Sequence, residues 1–148
     1  MLRIKNCKDN ERGSTLVEFA IGVTVFVTAM FAVLEFGRVL WVHNALTDAA
    51  RRGARYAVLH AASDETAVKN VVVYGDAAGT GNPMLDNLST ANVTVNYNNF
   101  GLNDGTVSVS ITDYQFQFVI PLIGTTITMP SYKTTLTGES AGFIPANV

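Results

Sequence analysis

The sequence predicts an α+β protein in which a long N-terminal helix packs against a small antiparallel sheet of three to five strands. Residues 14–62 contain no proline and are rich in Ala, Leu and Val, which favours a single helix. After Leu88 the hydrophobic period changes to two, which is typical of strands with one buried face. Such a sheet needs a cover, and the helix is the only large apolar element available to provide it.

The first half of the helix, residues 14–35, is predicted to cross a membrane. From Leu16 to Leu34 every residue is apolar or small except Glu18, Thr24 and Thr28. At about 1.5 Å per residue, this run reaches roughly the 30 Å of a bilayer core. Residues 1–13 form a leader with more basic than acidic residues, so the positive-inside rule places it in the cytoplasm and the rest outside.

The second half, residues 36–62, is predicted to be an amphipathic continuation of the helix outside the membrane. The side chains of its apolar stripe are unusually small, with Ala49, Gly53 and Ala57 at helical spacing. Small residues let another backbone approach closely. The stripe therefore suits helix packing against either a covering sheet or a neighbouring helix.

Residues 63–148 are predicted to form an extracytoplasmic head. Ser63 and Asp64 resemble an N-cap for a short helix from Glu65 to about Tyr74. The Gly-rich run 75–83 is interpreted as an exposed loop, because no Lys-Ser/Thr pair follows it as in a phosphate-binding loop. Period-two patterning predicts strands at 93–97, 107–111, 114–120, 125–129 and 131–136, with a hairpin loop at 98–105 and a break at Pro130.

The composition argues against several classes of function. The formal net charge is −2 and only 15% of residues are charged, which argues against nucleic acid as a partner. His43 and His60 have no Cys or paired carboxylate at ligand spacing, so no metal site is expected. The sequence shows no catalytic-triad pattern, and we therefore expect neither enzymatic activity nor a cofactor.

Three arginines, Arg51, Arg52 and Arg55, form a basic cluster on the second half of the helix. They could contact lipid phosphates or an acidic partner. Pairing with Asp48, together with simple solvation, is the alternative that the spacing favours.

Glu18 is the unusual residue of the apolar segment. An ionised carboxylate costs several kcal/mol at the bilayer centre, and less near the end of a span. Glu18 either reaches back to the cytoplasmic interface or meets a positive charge. A cut between Gly13 and Ser14 would create an α-amino group at position 1 of the new chain, one helical turn before Glu18 at position 5. Between chains, this pairing would fix the axial register of an incoming subunit.

The run 12–58 resembles the TadE-like minor pseudopilins of the tight-adherence (Flp-type) branch of type IV pilus systems. A short basic leader ends in Gly13, Glu18-Phe19 follows at positions five and six, and EFGR (35–38) and AARRGARYA (49–57) look like that family's helix beyond the membrane. Residues 107–138 resemble the family's sheet more loosely.

This resemblance implies cleavage between Gly13 and Ser14 by a prepilin peptidase, with Glu18 and Phe19 acting in assembly and register. It also implies partners, namely other pilins and pseudopilins and the pilus assembly platform in the inner membrane. The expected location is the inner membrane, as a single-pass protein, and then the pilus after assembly. The implied function is the assembly or priming of a pilus for surface attachment.

Two other interpretations of the apolar run remain open. It could be a signal peptide cut after Ala29, since Val27-Thr28-Ala29 meets the small-residue rule, and this would release a secreted domain. It could also be an uncleaved anchor for an extracytoplasmic binding module. The N-terminus of the mature protein distinguishes all three.

Overall fold

The fold begins with a helix, α1 (Lys8–Leu59), that runs through two compact units, residues 1–38 and 39–148. The computed structural model describes residues 8–99, 105–119 and 126–138. Most of the basic leader, the centre of the predicted hairpin loop 98–105 and the predicted strand ends at 120 and 125 lie outside the described residues.

The first unit consists of the apolar part of α1. Large apolar side chains along it are exposed, including Phe19 at 69% and Phe26 at 68% of their maximal area. Among the described residues, one helix is long and apolar enough to cross a membrane, and its most apolar stretch is not buried at all. A core helix of a water-soluble domain would bury such a stretch.

Within the described residues, the second unit contains the remainder of α1, a second helix and five strands. In chain order these are a 3₁₀ turn (Ala62–Asp64), α2 (Glu65–Tyr74), a 3₁₀ turn (Thr90–Asn92), β1 (Val93–Asn98), β2 (Thr106–Ile111), β3 (Gln115–Gln117), β4 (Thr126–Thr128) and β5 (Tyr132–Thr137). The α+β class predicted from the sequence is confirmed.

The strands form two antiparallel sheets where a single sheet was expected. The larger has the order β1-β2-β5, with Val95 opposite Val109 and Val109 opposite Thr134. The smaller pairs β3 with β4. Asp113, between β2 and β3, has a φ of 57°, in the left-handed region that is typical of turns. Pro130 has no N–H to donate and separates β4 from β5.

The core of the second unit lies where α1 and α2 pack on the larger sheet. Strands β1 and β2 direct valines inward, α2 adds Val68 and Val72, and α1 contributes mainly small residues. The most deeply buried members are Leu46, Ala50, Ala54, Ala57, Val68, Val72, Val73, Val107, Val109 and Ile111. The packing of a long helix against antiparallel strands is therefore confirmed.

Helix α2 has the expected bounds but not the expected cap. Asp64 occupies the N-cap position without a capping hydrogen bond from its side chain, and the Ser63 hydroxyl donates to Asp64 Oδ1 at 3.3 Å instead. The 3₁₀ turn before the helix explains the difference, because it carries the chain directly into α2. At the other end, Gly75 adopts a φ of 77° and its N–H donates to the Val71 carbonyl. Helix α1 ends at Leu59, slightly before residue 62.

Candidate processing and assembly site

The bond between Gly13 and Ser14 lies inside α1, which begins at Lys8. A β-carbon built on Gly13 would meet no atom of the described chain within 4 Å. Glycine is a poor helix former, so the helix opens here at a lower free-energy cost than at an alanine. Gly13 therefore combines an unobstructed position with a locally weak helix.

Glu18 and Ser14 lie on the same face of α1, because residues four apart are neighbours on a helix. Both side chains are exposed, as is that of Phe19. At this helical spacing, the Cβ atoms of Ser14 and Glu18 are about 5–6 Å apart. A positive charge on the Ser14 nitrogen would lie within one helical turn of the Glu18 carboxylate.

The other polar side chains of the apolar segment are satisfied by their own helix. The Thr24 hydroxyl donates to the Ala20 carbonyl and the Thr28 hydroxyl to the Thr24 carbonyl, each at 2.8 Å. Such bonds to the carbonyl four residues earlier need no water or partner chain. Both threonines therefore fit a hydrocarbon environment.

Glu35, the second acidic residue of the first unit's apolar segment, is paired within the chain. Its Oε2 lies 2.7 Å from Arg38 Nη1, and its side chain is only 4% exposed. Among the described residues, the other ion pairs join Asp48 to Arg51 and Glu65 to Lys69. No described basic side chain forms an ion pair with Glu18.

Two of the three clustered arginines, Arg51 and Arg52, contact side chains of the same chain. Arg51 lies 3.7 Å from Asp48, and both side chains are mostly exposed, so this pair contributes at most about 1 kcal/mol. Arg52 Nη2 donates to Met84 Sδ at 2.9 Å. Arg51 therefore pairs with Asp48, the alternative that the sequence spacing favours over lipid phosphates or an acidic partner.

The small residues of α1 face both a helix and a strand. Ala49, Gly53 and Ala57 are all buried. A β-carbon on Gly53 would overlap Val72 Cγ2 of α2 and lie 3.4 Å from Val109 Cγ1 of β2. At Gly53, α1 therefore lies close to both α2 and β2.

The two histidines have aromatic neighbours. His43 Nδ1 lies 2.9 Å from the Tyr132 hydroxyl and links α1 to β5. His60 stacks on Tyr56 with ring centroids 3.7 Å apart. Within the described ranges, no three His, Cys, Asp or Glu residues are grouped so that they could hold a metal ion.

The Gly-rich loop is organised around an acidic residue. Asp76 Oδ2 accepts hydrogen bonds from the Thr80 hydroxyl at 2.7 Å and from the Thr80 N–H at 3.4 Å. These bonds lower the pKa of Asp76 below 3.8, so this carboxylate is ionised at neutral pH. A negative charge within the loop disfavours phosphate binding.

A known family matches the helix segment that contains Gly13, Glu18 and Gly53. Residues 13–55 match the model of the TadE-like protein family. The TadE-like segment begins at the predicted cleavage bond, contains Glu18 and Phe19, and reaches past Gly53, so the resemblance inferred from the sequence is confirmed. No curated protein and no solved structure matches the chain.

Proposed function

We propose that this protein is a minor pseudopilin that takes part in the assembly or priming of a tight-adherence pilus for surface attachment. A prepilin peptidase cuts it between Gly13 and Ser14 at the cytoplasmic face of the inner membrane, and the head lies outside. Its partners are that peptidase, other pilins and pseudopilins, the assembly platform and the bilayer. Its role is structural, without catalysis, a cofactor or nucleic acid.

The observation that carries this proposal is the contrast among the polar side chains of the apolar segment. Thr24 and Thr28 bond to their own backbone, and Glu35 pairs with Arg38. Glu18, by contrast, forms no such hydrogen bond or ion pair within the described residues. A charged carboxylate in hydrocarbon is costly, so a positive charge nearby stabilises it strongly.

Cleavage supplies that positive charge. The new α-amino group on Ser14 has an ordinary pKa of about 7.7–8.0 and is largely protonated at neutral pH. Within one chain it partly compensates Glu18. In an assembly, the amine of an incoming subunit meets the Glu18 carboxylate of a subunit already in place, and this contact forms in only one axial register.

The cleavage step is tested by the intact mass of protein isolated from membranes. We expect a chain that begins at Ser14. As a matched pair, Gly13→Leu and Gly22→Leu both place a side chain where the described chain leaves open space. Only Gly13→Leu should block processing. A mature protein that begins at Met1 or Met30 would contradict the proposal and favour the uncleaved anchor or the secreted domain, respectively.

The assembly step is tested by replacing the acid. Glu18→Ala and Glu18→Gln should leave cleavage largely intact but abolish incorporation into pili, because neither side chain carries the negative charge that forms an ion pair with the amine. Thr24→Val is the matched control, since it removes another polar group from the same segment and should leave piliation unchanged. Normal piliation with Glu18→Ala would defeat the idea.

A further inference from the structure

Two large apolar side chains of the second unit lie on the side of α1 that faces away from its core. Leu40 is 47% and Trp41 is 62% exposed. On the opposite side of the same helix, Val42, Leu46 and Ala49 are buried. Leu40 and Trp41 therefore contribute nothing to the core of the head.

The outward face changes from apolar to polar directly after Trp41. The next residues at steps of three and four along that face are Asn44, Asp48, Arg51 and Arg55, and all four are exposed. No large apolar residue recurs on it until Leu59, the last residue of the helix. Leu40 and Trp41 are thus the last large apolar residues on this face of the helix before Leu59.

A lipid headgroup layer matches this position. From Ser14 to Trp41 a helix rises about 40 Å, which is the thickness of a bilayer core together with its interfacial regions, roughly 40–45 Å. Tryptophan is enriched at this boundary because its ring is apolar while its indole N–H is a hydrogen-bond donor.

We propose that Leu40 and Trp41 lie in the headgroup layer of the outer leaflet, where Trp41 sets the depth at which the helix is held before assembly. This inference rests on the proposed membrane anchoring. The partner is a phospholipid surface, which continues the lipid-facing surface of residues 16–34. A neighbouring protein helix covering Trp41 is the competing outcome.

Trp41 is the only tryptophan, so its fluorescence reports on this site alone. The full mature chain is reconstituted in phosphatidylethanolamine and phosphatidylglycerol vesicles that carry bromine either near the headgroups or deep in the acyl chains. We expect an emission maximum at shorter wavelength than in the unfolded chain. Bromine near the headgroups should cause a greater loss of emission than deep bromine.

The matched control moves the reporter by about one turn, in the double variant Trp41→Leu/Asn44→Trp. This tryptophan should lose its sensitivity to brominated lipid and be quenched by aqueous acrylamide. If Trp41 itself behaves in that way while the protein still floats with the vesicles, the inference is overturned but the anchor stands. Protection of Trp41 from both quenchers would show a protein neighbour and also overturn it. Failure to float with vesicles would overturn both the inference and the proposed anchor.

Discussion

Glu35 accepts a charged hydrogen bond from Arg38 at 2.7 Å, three residues further along the same helix. This ion pair neutralises the charge of Glu35 within its own helix. Glu18 has no such basic neighbour at three or four residues in either direction. One helix thus carries an acid that is neutralised by its own chain and a second, Glu18, that we propose to pair with the α-amino group of another subunit.

The first prediction concerns Arg38. Arg38→Ala leaves the Glu35 carboxylate without this cation while it remains 4% exposed. The free energy of unfolding should fall by about 1.5–3 kcal/mol, the usual value of a hydrogen bond to a charged group. The double variant Arg38→Ala/Glu35→Gln should recover part of the loss, since no charge remains to be desolvated. Thermal unfolding in detergent micelles measures both, and equal losses in the two variants would refute the explanation.

The second prediction concerns Gly53. Gly53→Ala forces a methyl group against Val72 Cγ2 and should destabilise the head by about 1–3 kcal/mol. Gly37→Ala is the control, because open space surrounds that position among the described residues, and it should be neutral or stabilising by up to about 1 kcal/mol. Denaturant unfolding followed by near-UV circular dichroism provides the measurement.

A second variant distinguishes steric overlap from a general weakness of the helix. Val72→Ala removes the Cγ2 atom that the new methyl group would strike. Gly53→Ala should therefore cost less in the Val72→Ala background than in the natural chain. An unchanged cost would show that the overlap with Val72 is not the cause.

The third prediction is a loss of stability at alkaline pH. Burial raises the pKa of Tyr132 above 10.0. The pKa of Tyr97 is raised by burial first, and then by the negative charges of Glu65 and Asp64. Both folded-state values lie above the unfolded value, so the stabilisation is fully present below pH 10.0 and is lost as the pH rises through the folded pKa values.

The unfolding midpoint should therefore fall as the pH rises above 10.0, and the double variant Tyr97→Phe/Tyr132→Phe should flatten this dependence. Tyr132→Phe also removes the hydrogen bond with His43, which adds a loss of about 1 kcal/mol that changes little with pH in this range. An equally steep decline in the double variant would mean that other groups cause it.

Local spacing made much of the fold predictable. The bounds of α2 and the positions of β1, β2 and β5 follow from hydrophobic period and turn residues, which act over a few residues. The division into two sheets has no such local signal, and the positive φ of Asp113 between β2 and β3 cannot be read from the residue type alone. The sequence pattern therefore indicates strands more reliably than it indicates which strands pair.

The candidate site divides in the same way. The proximity of Ser14 and Glu18 is a property of one helical turn, so the sequence alone predicts it. The Glu35–Arg38 pair has an equally local signal, the i,i+3 spacing of opposite charges. The contacts of His43 with Tyr132 and of Arg52 with Met84 depend on tertiary packing, and no short-range pattern indicates them.

The contribution of α1 to the core of the head limits how the protein can be shortened for study in aqueous solution. Leu46, Ala50 and Ala54 are fully buried against the remainder of the head. A truncated version that starts at residue 63 would uncover Val68, Val72 and the inner valines of β2, and it should aggregate. A shortened chain that retains residues 39–59 keeps this hydrophobic surface covered and lacks the apolar N-terminal segment.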